Sequence, residues 1–249
     1  MSSKTNALKQ LYRILKAASE ADGGKTSVAV WADLLGADPN NYPDVTQKMS
    51  CFLTLFDDAR SDIEKLDIEA KESQIDNLNA IQGRLFSKGV LSGKWGEVKG
   101  VIRMELLPTL SICGDLIVKE FGGLKVIPSE QVEEYIEKVR GLIDEFYKST
   151  DLNQEAKTIL INELKNVESA LINYQVTGST GVDKVTKRSA GSLLMFFWDD
   201  IPESAKEATK QCMSLIFGLS SVVGVYKNLS PLLLKGVERI TEILTLPPT

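Results

Sequence analysis

A chain of 249 residues, 43 % hydrophobic and 25 % charged, has enough apolar mass to fold as one large domain or two small ones, which excludes disorder as its main state. Twenty-nine Lys and Arg against 34 Asp and Glu leave a net charge of −5, too mild to name nucleic acid or anionic lipid as a partner. There is no histidine, and that removes Ser-His-Asp and Cys-His nucleophile pairs, histidine metal sites, imidazole acid–base chemistry and helical ribonucleases that rely on an Arg-to-His spacing.

Helical periodicity begins at once. Leu8, Leu11, Tyr12, Leu15 and Ala18 recur at three- and four-residue steps up to the stop at Gly23-Gly24. Lys9, Arg13 and Lys16 interrupt this stretch, so it lacks the apolar core of a secretory signal and predicts a cytoplasmic protein. Ser19-Glu-Ala-Asp-Gly-Gly24-Lys25-Thr26 resembles a phosphate-cradling glycine loop with serine in the first glycine position. Such a loop must leave a strand, and this one leaves a helix, so a helix cap and turn account for both glycines.

A second helix is predicted over Ser27 to Leu35, closed by Gly36. The third carries the strongest pattern: Val45, Met49, Phe52, Phe56, Ala59, Ile63, Leu66 and Ala70 keep one stripe on one side, which is the spacing that faces a partner helix. Its polar side, with Asp57, Asp58, Arg60, Asp62, Glu64, Lys65 and Asp67, reads as a solvated face rather than an acidic site. A fourth helix is expected from Ile75 to about Phe86.

Gly89, Gly93, Gly96 and Gly100 then punctuate a stretch holding Arg84, Lys88, Lys94, Lys99 and Arg103. This basic patch, with Trp95 for stacking, is the candidate nucleic-acid contact, against solvation of a glycine-rich connection. A helix resumes near Trp95, which Pro108 should end or bend, and Leu110 to Val118 reads as a buried helix or a strand. Gly122-Gly123 marks a boundary between an N-terminal helical region, 1–122, and a C-terminal one, 123–249, if the chain is not a single domain.

Pro128-Ser129 opens a helix with Val132, Ile136, Val139, Ile143 and Phe146 on one side. Asp151 starts another, with Ile159, Leu160, Leu164, Val167, Leu171 and Tyr174, and the short connection predicts an antiparallel hairpin. A break at Gly178–Gly181 precedes a helix ending in the apolar run Leu193–Trp198, and Ile201-Pro202 starts the last helical region, broken at Pro231. No charge falls between Gln211 and Tyr226. Leu215, Ile216, Phe217, Gly218, Val222, Val223 and Gly224 lie there, with the small-residue spacings Ser214/Gly218 and Ser220/Gly224 that let helices approach closely. This segment reads either as a helix buried in the bundle or, taken as 211–234, as a membrane- or partner-binding element released by a trigger.

Glu133-Glu134 and Asp199-Asp200 lack the spacing of helical metal sites. Cys51, Cys113 and Cys212 stand singly in apolar stretches and predict reduced core thiols. No cofactor and no metal is expected.

The sequence therefore predicts an all-α bundle of about eight to ten helices, with Trp31, Phe52, Phe56, Ile63, Ile136, Ile143, Leu164 and Leu171 in its core. Val30-Trp31-Ala-Asp-Leu-Leu-Gly36, the tryptophan-headed helix at Trp95 and Ala170-Leu-Ile-Asn-Tyr-Gln-Val-Thr-Gly-Ser-Thr-Gly181 resemble a loosely defined group of all-helical bacterial proteins encoded in accessory, often mobile or defence-associated, regions. That resemblance implies a bacterial, cytoplasmic setting and a role in conflict with phages or other mobile elements. It brings no catalytic or binding residues. The function expected is non-enzymatic, through a protein partner or self-association on the stripe Val45, Met49, Phe52, Phe56, Ile63 and Leu66 or on the 129–176 hairpin. Alternatives are a latent membrane-inserting effector and a weak nucleic-acid binder.

Overall fold

The computed structural model describes residues 4–87, 89–102, 107–196 and 203–224. They are all-α: ten helices, with only two extended segments of two residues each, β1 (Lys4–Thr5) and β2 (Leu124–Lys125). The chain divides into two compact units. The first is Met1–Gly123 together with Gln175–Gly178; the second is Leu124–Tyr174 with the residues from Ser179 onward.

In the first unit, α1 (Ala7–Glu20) starts at Asn6, whose side chain accepts from the Lys9 N–H, so one of the unpaired donors of the first turn is satisfied. The same side chain donates to the Gly114 carbonyl at 2.7 Å and ties α1 to α6 (Leu107–Phe121). α2 (Ser27–Leu35) is capped by Thr26 at one end and by Gly36 at the other, where φ is 68°. That left-handed value costs glycine nothing and terminates the helix where the sequence predicts.

α3 (Tyr42–Lys65) is shorter than its apolar stripe, because Leu66 turns extended and donates its N–H to the Ile63 carbonyl. Leu66 is still fully buried, so the helix ends without the stripe losing its last core member, and Ala70 falls outside it. α4 (Lys71–Ser87) follows. The helix expected at Trp95 is only α5 (Trp95–Val98) and a 3-10 turn over Lys99–Val101.

Pro108 does not end that helix. It stands in the first turn of α6, where a missing N–H costs nothing, and Leu110 to Val118 is helical. The core of this unit is centred on Trp31, which lies 5.2 Å from Phe52 and 5.2 Å, edge to face, from Trp95. Phe56 continues the cluster from Phe52 at 5.3 Å.

The second unit is built on α7 (Ser129–Lys148) and α8 (Gln154–Ile172). Arg140 pairs with Glu168 at 2.6 Å, and Lys165 donates to the Tyr147 hydroxyl at 2.8 Å. Later residues of α8 thus meet earlier residues of α7, which is the antiparallel hairpin. The cap of α8 is Asn153 rather than Asp151, with its side chain accepting from the Ala156 N–H.

α9 (Tyr174–Phe196) takes Tyr174 from the end expected for α8, and only Gly178, at φ 59° and ψ −158°, leaves the helical region. The predicted break is thus present at Gly178, where two helical segments meet at a kink, and Ser179 to Gly181 are already helical. The Tyr174 hydroxyl accepts from the Ile127 N–H at 2.6 Å.

α10 (Glu203–Val223) closes the unit. Val139, Ile143, Leu164, Leu171, Leu193, Cys212, Ile216, Leu219 and Val223 share its core, whereas Ile136 is only half-buried against it.

Candidate functional site

Within the second unit α7 and α10 leave an open groove of about 610 Å3 between their outward faces. Its shape follows from missing side chains. Gly141 on α7 and Gly218 on α10 both line it. A β-carbon at Gly141 would meet nothing within 4 Å, and one at Gly218 would touch only the Tyr135 hydroxyl at 3.7 Å. Ser214, one turn before Gly218, adds another small residue to the same wall.

Leu142 and Leu215 give the groove its apolar surface, and Lys138, Glu207, Lys210 and Gln211 give it charge and amide groups. Lys138 is engaged: it pairs with Glu134 at 2.6 Å and lies 5.3 Å from the centre of the Tyr135 ring. The hydrogen bond to Glu134 is the main cause holding its ammonium above the ordinary lysine range. The groove thus combines the half-buried Leu142 and Leu215 with exposed Lys138, Glu207 and Lys210.

The stripe predicted as an interaction surface is not exposed. Val45, Met49, Phe52, Phe56, Ile63 and Leu66 are all buried in the first unit's own core. A long single-sided stripe needs cover, and here α1, α2 and α4 pack against α3 and supply it. Replacing Phe56 with a charge would therefore unfold the unit rather than report on a partner.

The apolar segment of α10 is divided. Ile216 and Val223 are fully buried, while Leu215, Phe217, Gly218, Val222 and Gly224 are half-buried. The helix is one-sided rather than apolar all round. Among the described residues no helix is long and apolar enough to cross a membrane, and the rest of the predicted 211–234 element lies outside the described residues.

In the run Leu193–Trp198, Leu193 and Leu194 are core residues, but Met195 is 84 % exposed and Phe196 39 %. Phe197 and Trp198 lie outside the described residues.

Of the basic patch, Arg84 and Lys94 are exposed and Lys99 is half-buried, its ammonium reaching the Ala21 carbonyl at 3.5 Å. Lys88 and Arg103 lie outside the described residues. Trp95 is fully buried, and its indole N–H donates to the Ala18 carbonyl at 2.9 Å. It offers no face for a base to stack on.

The glycine loop at 19–26 is likewise committed internally. The Gly24 N–H donates to the Asp22 carboxylate, the Trp95 N–H to the Lys25 carbonyl and the Gly96 N–H to the Gly23 carbonyl. A β-carbon on Gly23 would come within 3.2 Å of the Gly96 α-carbon, so the glycines serve a close backbone crossing.

No protein-family model, curated protein or solved structure matches the chain.

Among the described residues no three Cys, Asp or Glu side chains gather to hold a metal ion. Burial pushes the Cys51 and Cys113 thiols up, and that of Cys212 up to about 12. All three are held toward the neutral, poorly nucleophilic form.

Lys48, which the sequence pattern does not single out, is 4 % exposed on α3. Burial lowers its ammonium below the ordinary range against the opposing pull of Asp44 and Cys51. It stands three residues after Val45 and four before Phe52, so helical spacing sets it at the edge of the apolar stripe, beside Leu55.

Cys212 should resist alkylation in the folded protein at pH 8 while reacting freely in urea, as read by mass spectrometry of carbamidomethylated peptides. Raising the folded pKa above that of the unfolded chain favours folding below the unfolded value near 9, and this advantage is lost as pH climbs from there toward about 12. Cys212→Ala should flatten the alkaline fall in stability over that window. Rapid native alkylation of Cys212 would contradict its place in the core.

Proposed function

We propose that this chain is a non-enzymatic helical protein that works through contact with another protein or a second copy of itself, in the bacterial conflict setting that the sequence resemblance implies. The observation that carries this reading is the α7–α10 groove, where Gly141, Ser214 and Gly218 keep a helix-lined surface open between Leu142 and Leu215. Small residues on two neighbouring helices allow a third backbone to approach closely, and a mixed-charge rim sets its register. Nucleic-acid contact has less support, because Trp95 is spent in the core.

The experiment is to fill the groove without touching the core. Gly141→Trp and Gly218→Trp, together, are read only at a melting temperature close to wild type; a β-carbon has room at each, with only the Tyr135 hydroxyl within 4 Å at Gly218. Size-exclusion chromatography with light scattering reads self-association, and affinity capture at matched protein levels reads a partner. Wild type should show a dimer or a captured protein that the filled variant loses. A wild type that is strictly monomeric and retains nothing that the filled variant fails to retain would overturn the proposal.

A further inference from the structure

No further inference is drawn: the strongest candidate, the groove between α7 and α10 with Lys210 and Glu207 on its rim, belongs to the site already described, and nothing in the structure shows what covers it.

Discussion

Trp31→Ala is expected to cost the first unit about 3–5 kcal/mol, the range for removing a large aromatic side chain from a packed core. Trp31 has no exposed surface, touches the rings of both Phe52 and Trp95, and connects α2, α3 and α5 at one point. No neighbour can move in to fill the space without withdrawing from another contact.

A finer comparison separates packing from hydrogen bonding. The Trp31 indole N–H is buried without a hydrogen-bond partner, so Trp31→Phe sacrifices volume but no bond. Trp95→Phe gives up the donor to the Ala18 carbonyl, which keeps only the Ala21 N–H at 3.3 Å. Trp95→Phe should therefore be the more damaging of the two by about 1 kcal/mol. Urea unfolding followed by circular dichroism at 222 nm measures all three variants. A Trp31→Ala protein with a wild-type midpoint would mean that the aromatic cluster is not the centre of this core.

Much of this fold can be read from sequence because its signals are local. α2 carries both of its stops in its own residues, Thr26 and Gly36, and the apolar side of α7 announces itself by spacing alone. Where local signals compete with packing, the reading drifts. The α3 stripe continues through Leu66 because that residue is needed in the core, yet the backbone has already left the helix there.

Pro108 is ambiguous in sequence because proline both breaks a helix and opens one, and only its place in the first turn of α6 decides. The groove is of another kind. The Ser214/Gly218 spacing is visible in the sequence, but a glycine leaves no side chain to betray what faces it. Gly141, 77 positions before Gly218, becomes meaningful only once α7 and α10 lie side by side. Lys48 differs: its spacing to Val45 and Phe52 already sets it beside the buried stripe, and only its charge argues for solvent.

Gly178→Ala should destabilise the first unit by about 2–4 kcal/mol, combining backbone strain with damage to a hydrogen-bonded clasp. At φ 59° and ψ −158° the position lies in a region that residues with a β-carbon rarely adopt. That β-carbon would also sit 3.2 Å from both the Cδ and Oε1 of Gln10. Gln10 cannot swing away freely, because its amide donates to the carbonyls of Gln175 and Val176 at 2.8 and 2.9 Å. Arg13 donates to the same Gln175 carbonyl at 2.9 Å, and the Gln175 amide in turn donates to the Asp33 and Leu34 carbonyls at the end of α2.

One methyl group therefore strains a residue and presses on the clasp that holds Val176 in the core. Gly191→Ala, beyond the kink and in the second unit, with nothing within 4 Å of the added atom, shows what an added methyl does in unstrained helix and should be neutral to stabilising by up to about 1 kcal/mol. Combining Gly178→Ala with Gln10→Ala divides the effect. The crowding disappears with the Gln10 side chain, so the two losses should sum to more than the double variant shows. Strictly additive losses would assign the whole cost to backbone strain, and equal stabilities for Gly178→Ala and Gly191→Ala would refute the kink itself.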